Sequence, residues 1–393
     1  MRLFYTTHDF VYKGRPHPGV PFLCSEDLER VGPASDYLLW VALENGRTRS
    51  RATWRSYAEA MYDYFAWLEA NGLDWDALPI DSAEFGEISN LALYRNWSLD
   101  VLDANSDRHS MQPSTVRKRL SQIMRFYEWA ATHKRIAHVP WDVQLSRIGD
   151  ESHRDAIKAS TLPRVPRQPI RFLTTQQCRA LLESCNSRTV QLMTKLMLQT
   201  GLRSEECRTF PTKYLFDPAP ERRSRKIHID LSPSDMKLKG GRPRRIYASG
   251  QLIKDLFDFV NFGEGAVRAK LYRMTRGSAC PYVFLNRHGA PWSEKGLCHA
   301  YRKLWAPAVP ARAVLDFKVT PHMLRHTFAT YELYGESQNR NLGYALAWVR
   351  DRLGHASIST TTVYVHCLDM LGERHLNRYE REIDALLVAG DMR

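Results

Sequence analysis

Apolar residues recur along this chain mostly in three- and four-residue steps, the spacing that lines one face of a helix. From Ser50 onward Tyr57, Met61, Tyr64, Phe65 and Leu68 form one such stripe, which ends at the breaker pair Asn71 and Gly72. A second helix is predicted through Ile88 to Leu102. A third opens at Pro113 and Ser114, with Val116, Leu120, Ile123, Met124 and Tyr127 on one face and Arg117, Lys118, Arg119 and Arg125 on the others, an amphipathic helix with a basic exterior. Helical patterning resumes at Thr174 and runs through Leu181, Leu182, Leu192, Leu196 and Met197 to Gly201. Lys226 to Leu231 alternates as a strand does, Lys239 to Arg245 reads as a basic hairpin turn, and Tyr282 to Leu285 reads as another short strand. The remainder is helical in pattern, down to a stripe of Leu376, Tyr379, Ile383, Leu386 and Leu387. The predicted fold class is therefore mainly α with a small antiparallel β-sheet (α+β).

At 393 residues the chain exceeds what one core usually organises, so two domains and a linker are expected. Residues 1–45 are rich in aromatics and prolines, show no clear period, and do not obviously form a small sheet. Residues 46–138 read as a small all-helical domain. Residues 139–172 carry Pro140, Pro163, Pro166 and Pro169 among charged residues, a linker signature, and residues 173–393 form a second domain ending in the C-terminal helical stripe.

Composition narrows the class of protein. Hydrophobic residues make up 44% and charged residues 25%, enough apolar material for packed cores. There is no run of about 18 apolar residues for a membrane span, nor an apolar secretory region at the start, so the expectation is a cytoplasmic protein with no membrane partner. Seven scattered cysteines without a C-x-x-C pair suit reduced thiols rather than a disulfide or zinc framework. A net charge of +13 suits a polyanion, since each phosphate neutralised by Lys or Arg releases counterions.

The candidate chemistry lies in four islands. In Thr200-Gly-Leu-Arg-Ser-Glu-Glu206 a carboxylate one helical turn beyond Arg203 can orient its guanidinium toward a phosphate. In Met236-Lys-Leu-Lys-Gly-Gly-Arg-Pro-Arg-Arg-Ile246 the glycines permit close approach of a backbone, and a lysine at the tip can reach a phosphodiester oxygen. In Thr320-Pro-His-Met-Leu-Arg-His326 the proline suits a helix start, which puts His322 and Arg325 one turn apart on one face. His322 and His326 also have the spacing of half a zinc site, but neither the Glu of H-E-x-x-H nor a third-ligand motif accompanies them. In the fourth, Leu353-Gly-His355 precedes a Ser/Thr-rich stretch leading to Tyr364. Three of the islands have an ordinary reading as well: a helix-start Glu beside a surface Arg, a solvated cationic loop, a packing tyrosine among the 18 in the chain.

Taken in order, the four islands resemble the tyrosine recombinase (phage integrase) family. The resemblance covers about Thr174 to Val388 and, more loosely, the helical region before it. It implies catalytic roles for Arg203, Lys239, His322, Arg325, His355 and Tyr364, with Glu206 as the supporting acid, and none of the six is replaced. Lys237 competes with Lys239 if the hairpin is shifted. Arg117, Lys118, Arg242 and Arg244 are the expected further DNA contacts. The resemblance further implies a core-binding domain and a catalytic domain clamped around double-stranded DNA, a 3′-phosphotyrosyl intermediate, no cofactor or metal, four protomers on two duplexes, and room for accessory DNA-bending proteins. A type I topoisomerase, a telomere resolvase or an idle DNA-binding relative would share much of this pattern. A metal-dependent transposase would need a carboxylate cluster that is not evident.

Overall fold

The computed structural model describes residues 1–46, 50–77, 80–82, 86–100, 111–141, 143–144, 158–159, 162–165, 169–304, 317–368 and 370–371. It divides into two compact units, Met1–Arg167 and Gln168–Arg393.

In the first unit the segment without a visible period is ordered all the same. Strand β1 (Arg2–Tyr5) is followed by a two-residue pair, β2 (Val11–Tyr12) with β3 (Arg15–Pro16), and by β4 (Pro21–Cys24), which pairs antiparallel with β1. Helix α1 (Gly32–Leu39) then runs into a π-turn at Trp40–Glu44. The expectation that residues 1–45 form no small sheet is corrected here. Strands of two to four residues are too short for an alternation to show, yet Leu23, Tyr37, Leu38 and Val41 are all buried in the unit's core.

The predicted helices follow as α2 (Arg51–Ala70), α3 (Asn90–Asp100) and α4 (Pro113–Thr132), with the ribbon β5 (Ile80–Ser82) and β6 (Gly86–Ile88) between α2 and α3. A last two-residue pair, β7 (Val143–Gln144) with β8 (Lys158–Ala159), lies in the proline-bearing stretch. The core is unusually aromatic, with Tyr64 and Tyr127 sharing a hydroxyl hydrogen bond of 2.7 Å that Tyr127 extends to the Trp75 carbonyl. The basic exterior expected of α4 is mostly drawn inward. Arg119 pairs with Asp63, Arg125 donates to the Tyr57 hydroxyl, and Arg117 is half-buried and donates to the Pro163 carbonyl at 2.7 Å, whereas Lys118 is exposed. A guanidinium satisfied within its own unit is a weaker DNA contact than the sequence suggested for Arg117.

The second unit is built on α6 (Arg188–Thr200), preceded by α5 (Thr175–Glu183), whose start is a capping box between Thr174 and Gln177. The single run read from Thr174 to Gly201 is thus two helices. After the short helix α7 (Ser204–Arg208) comes an antiparallel pair, β9 (Lys226–Leu231) and β10 (Arg244–Ser249), in the register Arg244 opposite Leu231 and Ser249 opposite Lys226. Then follow α8 (Gly250–Asn261), α9 (Glu264–Arg276), α10 (Glu294–Lys303), α11 (Pro321–Ser337) and α12 (Leu342–Leu353). Tyr282–Leu285 makes only single bridges, Tyr282 to Pro211 and Leu285 to Pro291. Proline partners lack the N–H that a ladder requires, so no strand extends there. The stripe Leu376 to Leu387 lies outside the described residues.

One glycine fixes how the site is framed. Gly201 ends α6 with φ of 65°, and a Cβ there would come within 2.3 Å of the Phe328 ring and 2.9 Å of Leu353. Gly201→Ala is therefore expected to destabilise the protein by at least about 1 kcal/mol from the backbone alone, with a further loss from the clash, read as a lowered denaturation midpoint.

Candidate active site

The residues singled out in the sequence arrive from five places in the second unit. Arg203 sits immediately before α7, Lys239 in the one-turn helix Lys239–Gly241, His322 and Arg325 in the first turns of α11, His355 just after α12, and Tyr364 at the end of the one-turn helix Thr362–Tyr364. Local sequence explains each placement. Thr320 caps α11 by accepting from the Met323 N–H, and Gly354 ends α12 in the left-handed region with φ of 64°, turning the chain at His355.

Arg325 is the anchor. It is 1% exposed, and its two terminal nitrogens donate to the carbonyls of Gly201 and Leu353, each at 2.6 Å. Both acceptors are helix-terminal carbonyls left without helical partners, where a cation is favoured. Burial, and then the neighbouring Arg203, push its pKa down to about 9, so it keeps its charge at neutral pH.

Glu206 organises the other guanidiniums. Its carboxylate accepts from the Arg203 backbone N–H at 2.8 Å and side chain at 3.2 Å, and from Arg244 through both terminal nitrogens at 3.1 and 2.6 Å. Burial alone would raise its pKa, but the Arg244 hydrogen bonds and charge, with those of Arg203, hold it below the usual carboxylate range. Arg203 and Arg244 thus share a single carboxylate, whose charge Arg325 also feels.

The histidines feel that charge. Burial, then Arg325 and Arg203, push His355 down to about 3, while His322 is lowered by burial, Arg325, Arg203 and Lys239 in turn. Both rings are neutral near pH 7 in the free protein. His355 is fixed by Thr361, whose hydroxyl lies 3.0 Å from its Nδ1. Tyr364 is 2% exposed, buried in the cluster that includes Phe328, Val349 and Leu353, and its pKa is raised by burial against the lowering pull of Arg325 and Arg203.

The two lysines in the hairpin part company. Lys237 pairs with Glu205 at 2.7 Å, whereas Lys239 is exposed, has no hydrogen-bond or ion-pair partner among the described residues, and is close enough to perturb His322. Arg242 is exposed, with one nitrogen 3.5 Å from the His355 carbonyl. Beside His355 a cleft of about 460 Å³ is lined by Arg242, Arg244, Arg245 and Arg352. Among the described residues no group of three His, Cys, Asp or Glu side chains could hold a metal ion.

Residues 171–370 match the model of the phage integrase family. The chain belongs to the phage integrase family. It is a site-specific DNA recombinase of the tyrosine type. Among its relatives, the tyrosine recombinase XerC of Halalkalibacterium halodurans is 29% identical over 64% of this chain and 71% of its own length. XerC of Xanthomonas campestris pv. campestris is 25% identical over 86% and 87%, respectively. Similar folds occur in the XerH site-specific recombinase bound to a palindromic difH substrate (TM-score 0.55, 16% identity, 89% of this chain and 85% of that one) and in the Tn1549 transposon integrase with circular-intermediate DNA (0.53, 17%, 84% and 93%).

Within this integrase-family enzyme two residues stand differently from their reading in the sequence. Arg244 was expected at the DNA, but it is 8% exposed and spent on Glu206. Strand parity is the signal that was overlooked: Arg244 shares the inward face of β10 with Ile246 and Ala248, while Arg245 faces outward and pairs with Asp230. Removing one partner of a buried ion pair costs about 3–5 kcal/mol, so Arg244→Ala is expected to lower stability by that order, whereas exposed Arg242→Ala should stay within about 0.5 kcal/mol of wild type; denaturant titration of both checks this. The second residue is His326, seen in the sequence only as half of a zinc spacing; its Nδ1 lies 3.0 Å from the Tyr364 hydroxyl.

Proposed function

We propose that this recombinase cleaves and rejoins double-stranded DNA with Tyr364 as nucleophile, through a 3′-phosphotyrosyl link, and that Arg203, Arg325, His322, His355 and Lys239 gather on the same phosphate. The observation that carries the reading is the surplus of positive charge around Tyr364. Three guanidiniums are held in place by one carboxylate and two main-chain carbonyls, an arrangement that a bound phosphate would complete.

Attack on a phosphodiester builds negative charge on the nonbridging oxygens. Arg203 and Arg325 meet it with donors already fixed, each worth on the order of 3–4 kcal/mol of barrier in comparable sites. His322 and His355 supply further N–H donors as neutral imidazoles, and bound phosphate would draw both toward protonation. Lys239 protonates the departing 5′ oxygen, and the proton that Tyr364 releases on attack passes to a neutral imidazole of the site. Lys237 is left out because Glu205 occupies it. The tyrosine–phosphate bond conserves the energy of the broken strand, so rejoining by a second strand's 5′ hydroxyl calls for no ATP.

Double-stranded DNA as partner is supported by the DNA present with the XerH and Tn1549 proteins. The cleft beside His355 offers Arg242 to flanking phosphates, and Lys118 on α4 is the expected contact from the first unit. Four protomers on two duplexes, with accessory DNA-bending proteins where a site requires them, form the assembly we propose. The proposed location is the cytoplasm, with the DNA. No helix among the described residues is long and apolar enough to cross a membrane.

A plasmid carrying two copies of the recombination site tests the activity. Incubated with the protein in EDTA, it should yield exchanged products; relaxation without exchange would mark a topoisomerase, and dependence on added metal would overturn the mechanism.

A further inference from the structure

The hydroxyl of Tyr364 makes one side-chain hydrogen bond among the described residues, and its partner is none of the six catalytic positions. His326 Nδ1 lies 3.0 Å from that oxygen, with the two rings 5.6 Å apart. His355 lies parallel to the tyrosine ring with centroids 6.5 Å apart, and its Nδ1 is occupied by Thr361. His322 packs against the other side of His326, centroids 4.4 Å apart at 68°.

We infer that His326 is a positioning residue for the nucleophile: its Nδ1 accepts the hydrogen bond of the Tyr364 hydroxyl and holds the oxygen in register with the arginine pair before DNA is cut. The inference rests on the reading of Tyr364 as nucleophile. Burial in the hydrophobic cluster sets the ring, but packing does not aim the O–H bond. Committing that proton to His326 leaves both oxygen lone pairs free for phosphorus, the arrangement that in-line attack requires.

The surroundings keep the acceptor available. A protonated imidazole has two N–H donors and no acceptor. Burial, then the neighbouring His322 and Arg325, push His326 down to about 4, so Nδ1 stays bare near neutral pH. Because His326 directly follows Arg325 on α11, one turn of helix carries both a phosphate ligand and the residue that aims the nucleophile. His326 acts on the phosphate only through Tyr364.

Four variants in one assay test this: His326→Ala, His326→Phe, His326→Asn and Tyr364→Phe. Single-turnover cleavage is measured on a nicked duplex bearing the recombination site, and DNA affinity is measured in parallel. His326→Ala should cleave about a hundredfold more slowly at unchanged affinity, the scale of a misplaced reacting group. His326→Phe, which fills the space without an acceptor, should be equally slow. His326→Asn, whose side-chain oxygen can stand in for Nδ1, should recover most of the rate, and the Asn and Phe pair decides the matter if the alanine variant does not fold. Wild-type rates in Ala or Phe, or an Asn variant no faster than Phe, would overturn the inference. Covalent capture by Tyr364→Phe would instead overturn the nucleophile, whatever the His326 variants do.

Discussion

Tyr364→Phe is expected to abolish covalent capture of DNA while DNA binding and folding persist. The substitution removes a single oxygen. The ring keeps its place in the buried cluster, and the lost hydrogen bond to His326 is worth about 1 kcal/mol, too little to unfold a domain of this size. The chemical loss is expected to be complete, because the oxygen removed is the one proposed to bond phosphorus. Capture is read on nicked duplex as protein that stays with DNA through denaturation; residual capture by the phenylalanine variant would move the nucleophile elsewhere.

Arg325→Lys carries the second-largest effect, though the charge is conserved. The arginine fork spans two carbonyls, those of Gly201 and Leu353, and still has N–H donors left for a phosphate. A lysine ammonium is one point charge and cannot do all three. Cleavage should fall by at least about a hundredfold. Because a buried carbonyl left unpaired costs about 1–3 kcal/mol, the denaturation midpoint should fall too. Arg203→Lys separates the two effects: Arg203 is more exposed and, among the described residues, its side chain bonds only Glu206, so its loss should appear in the rate far more than in stability. Near-normal cleavage in either variant would remove that residue from the proposed phosphate clamp.

Much of this was legible in the sequence where residue type and spacing act locally. Pro321 marked the start of α11, Gly201 the end of α6, and the alternation of Lys226 to Leu231 a strand that is present. The candidate site residues stood out by type, and Glu206 with them as the support of Arg203, yet the supports of Arg325 did not. Which carbonyls hold Arg325 depends on where α6 and α12 end relative to each other, a tertiary fact with no local signal. Arg244 was misjudged for a different reason, since charge was weighed above strand parity, and parity decides burial. His326 carried the wrong question: its spacing from His322 suggested a metal, while its partner lay 38 residues further along the chain. The amino-terminal ribbons escaped because strands of two to four residues have too few positions to show a period.

In the proposed mechanism one tyrosine forms the covalent bond to DNA. Protein trapped on nicked DNA can be digested with nuclease and protease, and the nucleotide-bearing peptide sequenced by mass spectrometry. One modified peptide is expected, with the 3′-phosphate on Tyr364. A phosphonucleotide on any other residue, or a link through the 5′ end, would contradict it.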